Sequence, residues 1–280
     1  MKNKEKIVLI GAGNVATHLG SALQKAGYEV VQVYSRTHQS ASVLAARLSA
    51  EYTVHIEDIR RDADIYVVAL KDTALQELAP RLTKGREGGL FVHTAGSMPM
   101  DLWKGLARRY GVLYPMQTFS KQREVDFRTV PFFIEASASD ELFLLHELAD
   151  KLSPKVYEVT SWQRKYLHLA AVFACNFANH MYALSSQILE RQGIPFEVML
   201  SLIDETARKV HQLSPSEAQT GPAVRYDENV INGHLELLSD APVMQELYEK
   251  ISKSIHNTPL THRETGGEEK KDAVSDYDKL

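Results

Sequence analysis

Apolar and polar positions follow two regimes along the chain. Up to about residue 159, short continuous apolar runs, the pattern of strands buried on both faces, alternate with helical periods. Strands are expected at Ile7–Ile10, Glu29–Tyr34, Ile65–Leu70, Leu90–His93, Tyr110–Met116, Pro131–Ala136 and Lys155–Val159. Helices are expected after the first strand and over His38–Leu48, Ala74–Leu82 and Asp140–Leu152. This alternation predicts a doubly wound α/β sheet. From Thr160 no convincing strand follows: Ser161–Gln192 reads as one long helix ended by Gly193 and Pro195, and Phe196–Leu213 as another. A polar loop, Ser214–Gly221, then leads to Pro222 in the first turn of a third helix, and a fourth runs from Ser239 or Asp240 to about His256. The charged, Gly-containing stretch from Thr261 has no apolar period and reads as a mobile tail.

Between the first strand and its helix stand Gly11, Ala12, Gly13, Asn14, Val15 and Ala16, a G-x-G-x-x-A fingerprint in a strand-to-helix setting. The first Gly permits the tight turn, the second lets backbone approach a pyrophosphate, and the small Ala16 lets the helix pack closely on the sheet. The helix N-terminus then offers free N–H groups to phosphate, which places Gly11, Gly13, Asn14 and Val15 at a dinucleotide. The expected fold is an N-terminal doubly wound Rossmann sheet followed by an all-α C-terminal domain. Its parts are a dinucleotide-binding domain over 1–159, a helical substrate and dimerisation domain over 160–258, and a tail over 259–280.

The second strand runs into Ser35, Arg36 and Thr37, where an NAD enzyme usually carries Asp or Glu for the ribose hydroxyls. A carboxylate would repel a 2′-phosphate, whereas Arg36 can pair with it bidentately and the flanking hydroxyls can donate to it. NADP is therefore expected over NAD; the bland alternative is a solvated Arg36 with Thr37 capping the next helix. In doubly wound sheets ligands lie beyond the carboxyl ends of the strands, so Leu70, Lys71, Asp72 and Thr73, and then Thr94, Ala95 and Ser97, should face the cofactor or its substrate. His93 sits at the same rim, as a structural or a catalytic group.

Composition narrows the field. The formal net charge of -4 over 280 residues supplies no basic stripe for nucleic acid. No apolar run approaches a membrane span, and the charged Met1–Lys6 leading into the first strand reads as no signal peptide, so the cytoplasm is the expected location. Cys175, the single cysteine, lies in a Phe- and Ala-rich helix and is expected to be packed. No metal-ligand spacing is present.

On the long helix, at about 100° per residue, Lys165, His168, Asn176 and Asn179 fall within a wedge of about 80°, opposite Leu167, Ala170, Ala171, Ala174, Ala178 and Met181. A His with two carboxamides on such a helix suggests either a lined cleft or a hydrogen-bonded contact between helices or subunits. In the first case Lys165 or His168 gives a proton during hydride transfer, Asn176 orients the substrate and Asn179 adds a contact. Further on, Thr220 can cap the helix beginning at Pro222, Gly221 allows close approach and Arg225 adds a fork of donors, as a carboxylate or phosphate site or as an ordinary capped helix with a surface Arg.

The fingerprint with Ser35–Thr37, the stretches Val92–Ser97 and Tyr114–Phe119, His168 through Asn176, and Gln219–Arg225 with Asp227 together resemble the Rossmann-like oxidoreductases with a C-terminal helical domain of unknown function. That family is similar to pyrroline-5-carboxylate reductase and to the 6-phosphogluconate dehydrogenase superfamily. The resemblance implies an all-helical second domain that builds the active site against the nicotinamide and makes a homodimer. Two positions depart from the pattern: Lys71 stands where many relatives have Pro, and Tyr114 where His is expected. Leu169 also occupies the position at which the superfamily's hydroxyacid dehydrogenases carry Asn four residues after the catalytic Lys, so their roles do not transfer to Lys165 and Asn176. Two functions remain open: an NADP-dependent oxidoreductase reducing a small, anionic carbonyl or imine compound, with His168 as proton donor and Arg225 as anion anchor, or an NADP-binding sensor or scaffold without turnover.

Overall fold

A computed structural model describes residues 4–258, so the tail expected from 259 lies outside the described residues. The chain divides into two compact units, Met1–Asn179 and His180–Leu280, with the division inside the long helix.

The first unit is an eight-stranded sheet of order β3-β2-β1-β4-β5-β6-β7-β8. Its strands are β1 (Lys6–Ile10), β2 (Glu29–Tyr34), β3 (Glu51–Thr53), β4 (Ile65–Val68), β5 (Leu90–His93), β6 (Arg109–Pro115), β7 (Phe132–Ala136) and β8 (Val156–Glu158). All neighbours are parallel except β6 and β7, which pair antiparallel with Tyr114 opposite Phe133. The three-residue β3 has no long apolar run of its own and is held by its register on β2, which explains why periodicity does not reveal it.

Helices cover both faces, as the buried strands require. Helices α1 (Asn14–Lys25), α2 (His38–Arg47) and α4 (Ser139–Leu152) place Leu19, Leu23, Leu44, Leu145 and Leu148 against Ile7, Leu9 and Val33 on one face. On the other, α3 (Asp72–Thr83) places Leu75, Ala79 and Leu82, with Trp103, against Val8, Ile10, Tyr66 and Phe91.

The long helix begins with α5 (Ser161–Ala171), whose first turn is closed by a reciprocal capping box between Thr160 and Gln163. A π-helical segment, Val172–Phe177, follows and passes into α6 (Ala178–Glu190). In α5 the fully buried Arg164 donates to Glu135 Oε2 at 2.5 Å, to the Met98 carbonyl at 2.7 Å and to Ser161 Oγ at 3.1 Å. Glu135 also accepts the Ser161 backbone N–H at 2.9 Å and its hydroxyl at 2.7 Å. One carboxylate of β7 thus takes the first turn of α5 and the buried guanidinium together.

The second unit is helical: α7 (Leu200–Lys209), α8 (Pro215–Ala218), α9 (Pro222–Arg225), α10 (Glu228–Leu237) and α11 (Pro242–Asn257) follow the end of α6. The expected polar loop contains α8, closed by a Ser214–Glu217 capping box. The expected third helix is broken by Tyr226 in the left-handed region (φ 51) and resumes as α10, capped by Asp227. Among the described residues from His180 onward, Ala223, Ile231, Leu238 and Ser252 are the buried ones, a thin core for this length of chain.

Removing one partner from a buried ion pair strands the other charge away from water. Glu135→Leu should therefore lower stability by about 3 kcal/mol or more, read as a drop in the urea midpoint. A change within experimental error would mean that the carbonyl of Met98 and the Ser161 hydroxyl suffice for Arg164.

Candidate cofactor and active site

Strand order reverses between β1 and β4, and the fingerprint stands at that switch point. The Gly11 N–H donates to the Tyr34 carbonyl at 2.8 Å and the Ala69 N–H to the Ile10 carbonyl at 2.8 Å. Gly11 has φ +116, and a Cβ on it would lie 2.3 Å from the Ala69 carbonyl oxygen. Both the turn and the neighbouring strand therefore demand glycine here. Gly13 differs: it is exposed, nothing lies within 4 Å of a Cβ built on it, and no side chain caps α1 behind it. The helix offers uncapped N–H groups beside open space, which fits the pyrophosphate of a dinucleotide. Asn14 and Val15 lie in this first turn; the Asn14 amide donates to the Phe119 carbonyl at 2.7 Å, tying the loop after β6 to the turn.

At the end of β2, Ser35 is half-buried while Arg36 and Thr37 are exposed. The Thr37 side chain makes no capping bond to α2; its hydroxyl donates to Ser40 Oγ at 2.9 Å. Arg36 has no ion pair among the described residues. The nearby Arg81 is paired to Glu57 at 2.6 Å, which leaves Arg36 as the free guanidinium next to this loop. Burial raises the Tyr34 phenol and keeps it neutral beside these cations.

Along the rim of β4 and β5, Leu70 and Asp72 are half-buried and Lys71 exposed. The Thr94 N–H is used in the sheet, donating to Val68 at 3.1 Å, and the Ala95 N–H donates to His93 Nδ1 at 3.3 Å. The Ser97 hydroxyl donates to the Asp72 carboxylate, so it belongs to the rim's own scaffold. His93, placed by sequence at this rim, is fully buried. Burial, reinforced by the positive charge of Arg164, pushes its imidazole down to about 3. Its burial in the core favours the structural reading of its position.

A second cluster lies at the carboxyl ends of β5 and β6. Tyr114 Oη is 3.3 Å from His168 Nδ1, and their rings meet edge-on with centroids 6.3 Å apart. Gly96, in the loop after β5, lies against both: a Cβ there would approach Tyr114 Cζ to 2.7 Å and His168 Nδ1 to 2.9 Å. Burial raises the Tyr114 phenol, with Arg164 acting in the opposite direction. Sequence reasoning noted Tyr114 only as a departure from a family pattern; a polar ring at the carboxyl end of a strand was the signal that could have found it.

The polar wedge does not survive as drawn. The π segment adds a residue to one turn, so positions beyond it are rotated by about 100° from where a continuous α-helix would carry them. His168, before the break, meets Tyr114, and Lys165 is exposed one turn earlier; Asn176 and Asn179 are exposed and are not brought to that pair. The opposite face is not packed either, for Ala170 and Ala174 are exposed and Leu167, Ala171, Ala178 and Met181 half-buried. Cys175 is likewise exposed rather than packed, because no residue of the π segment is buried within this chain.

In the second unit the helix starting at Pro222 is a single turn whose N-cap is Gly221, not Thr220. Gly221 has φ +108 with nothing within 4 Å of a built Cβ, so the turn itself favours glycine there. Arg225 is exposed at the end of that turn, without an ion pair among the described residues. Among the described residues there is no cluster able to hold a metal ion and no helix long and apolar enough to cross a membrane.

Comparison with known proteins divides the chain earlier, between β6 and β7. Residues 1–117 match a Rossmann-like domain and residues 130–255 a domain of unknown function (DUF2520). A crystal structure described as a putative NADP oxidoreductase from Bacteroides fragilis is 57% identical, covering 91% of this chain and 99% of that one, with a TM-score of 0.88. At 20% identity, an imine reductase from Myxococcus stipitatus in complex with NADP+ covers 90% of this chain and 91% of its own (TM-score 0.61). At 12%, a 1-pyrroline-5-carboxylate reductase from Streptococcus pyogenes covers 92% and 100% (TM-score 0.61). These last two share the fold. No curated protein matches the chain.

His93 gives this site a pH signature. Its folded-state value lies below that of the unfolded chain, so the unfolded state binds the proton first as acid is added. The contribution is complete above about pH 6.5 and is lost as pH falls from there toward 3, at up to about 1.4 kcal/mol per unit. In His93→Gln the stability difference between pH 7 and pH 5 should shrink by about 2 kcal/mol in urea titrations. An unchanged difference would mean that His93 takes up its proton in the fold as readily as in the unfolded chain.

Proposed function

The chain belongs to the family that joins a Rossmann-like domain to this domain of unknown function, and we propose that it is an NADP-dependent oxidoreductase acting on a small, anionic carbonyl or imine compound. The observation that carries the reading is Arg36: a free, exposed guanidinium following β2, with no carboxylate at Ser35 or Thr37, next to an uncapped glycine turn. Such a group suits a ribose 2′-phosphate and leaves NAD without its usual acidic partner. The description of the 57% identical Bacteroides fragilis protein as an NADP oxidoreductase supports the same cofactor.

When bound, NADPH supplies the hydride. Gly11, Gly13, Asn14 and Val15 receive the pyrophosphate, Ser35–Thr37 the adenosine end, and Leu70, Lys71, Asp72, Thr94 and Ala95 line the rim beside the nicotinamide. The proton that accompanies the hydride comes by way of His168, and Lys165, three residues before it, adds the positive charge that suits an anionic substrate. Arg225 remains the proposed anion anchor through its free guanidinium. We assign cofactor binding to 1–159, substrate and subunit contacts to 160–258, and the cytoplasm as the location, in keeping with a single cysteine that leaves no internal disulfide to form.

A homodimer through the helical part belongs to this reading. Trp162, Tyr166, Leu169, Phe173 and Phe177 are 66%, 56%, 52%, 63% and 48% exposed along α5 and the π segment. A row of large apolar side chains at helical spacing is a surface that a subunit contact would cover.

Calorimetry should find NADP+ bound more tightly than NAD+ by about 1.5–3 kcal/mol, the value of a hydrogen bond to a charged group, and Arg36→Asp should reverse the order. Equal affinities in the unmodified protein would remove the cofactor assignment. NADPH oxidation against keto acids, imino acids and aldehydes tests turnover; tight binding without consumption of any would favour a sensor. Light scattering at micromolar concentration should give twice the chain mass, and a monomer would leave the aromatic row without the proposed partner.

A further inference from the structure

The cluster of Gly96, Tyr114 and His168 has more structure than a single proton donor requires. His168 Nδ1 is turned to Tyr114 Oη, not to open space. Gly96 lets its backbone lie against both side chains, at the strand ends where a doubly wound sheet binds its ligand. Tyr114 sits at the end of β6, next to β5 in the sheet, so its hydroxyl is carried by a rigid strand. We propose that Tyr114 is the catalytic residue that hands the proton to the substrate, and that His168 is the positioning residue that holds the phenol and restores its proton. The proposal rests on the oxidoreductase reading and adds to it the route of the proton.

The substrate's C=O or C=N carbon gains a hydride, and its π pair moves to the heteroatom. The heteroatom takes the Tyr114 Oη proton as that O–H bond breaks. The phenolate regains a proton from His168 Nδ1 as Nε2 takes one from solvent, so the imidazole stays neutral. One hydride and one solvent proton thus give an alcohol or amine, and NADPH leaves oxidised as NADP+.

Two features suit Tyr114 to this task. Burial raises its phenol, so it is protonated at neutral pH and available as an acid. The groups facing it are His168 and Arg164 from α5 and Cys175 from the π segment, and the positive charge of Arg164 favours the transient phenolate. A heteroatom that accepts a proton from a neutral phenol is that of a ketone, an aldehyde or a neutral imine. An iminium already carries its proton.

Tyr114→Phe removes the hydroxyl and keeps the ring. NADP+ affinity by calorimetry should stay within about twofold of the parent, whereas failure of the parent to bind NADP+ would defeat the oxidoreductase reading itself. Nitrogen NMR of the His168 ring, with His168→Gln to assign it, should show a changed Nδ1 signal in Tyr114→Phe. With any compound of the keto acid, imino acid and aldehyde panel that is turned over, kcat should fall about 100-fold with little change in KM, the scale of a lost general acid. His168→Gln should lower kcat less and move the pH profile. An unchanged His168 signal, or full kcat in Tyr114→Phe, would overturn the proposal.

Discussion

The guanidinium of Arg164 lies in the protein with none of its side chain exposed, and a charge so placed persists only where its partners are fixed. Glu135 is the ionic partner, and through the same carboxylate it receives the backbone and hydroxyl of Ser161. The first turn of the long helix is therefore attached to β7 and to the Met98 carbonyl beyond β5. Four residues later comes His168, on the next turn, and its ring reaches Tyr114 at the end of β6. Sheet, helix entry and candidate proton donor are tied to one buried ion pair, which also contributes to holding His93 neutral and acts on the Tyr114 phenol.

On the proposed reading, the chemistry is split between backbone and side chains in a way that follows the demands of each end of the cofactor. The pyrophosphate needs close approach and N–H donors, and Gly13, with open space beside it, and the uncapped start of α1 fit that need without side chains. Distinguishing a 2′-phosphate from a hydroxyl needs charge, and Arg36 is left free for it while Arg81 is held by Glu57. Proton delivery needs a group that stays protonated until the heteroatom becomes basic, and a half-buried phenol meets that condition. Among the described residues no metal cluster stands by to share this work.

The parts of the structure set by local rules were readable in the sequence. Continuous apolar runs marked β1, β2, β5 and β7 to within a residue, and the glycine fingerprint located the switch point because a left-handed turn against Ala69 leaves no room for a Cβ. What failed depended on tertiary context. The wedge from Lys165 to Asn179 assumed an unbroken α-helix, and the π segment cannot be foreseen from a 3.6-residue period. Thr220 was a plausible cap by residue type, yet the positive φ of Gly221 moved the helix start by one position. Tyr114 and Gly96 are 18 residues apart in sequence and meet only through the β5–β6 pairing, so no spacing rule joins them.

The central claim is that one face of the Rossmann unit receives NADP with its 2′-phosphate at Arg36 and its reacting ring beside Tyr114. A crystal structure of the NADP+ complex tests this most directly. The 2′-phosphate should lie within hydrogen-bonding distance of the Arg36 guanidinium and the nicotinamide against Gly96, on the side of the Tyr114 hydroxyl. A 2′-phosphate directed away from Arg36, or a nicotinamide ring remote from Tyr114 and His168, would contradict it.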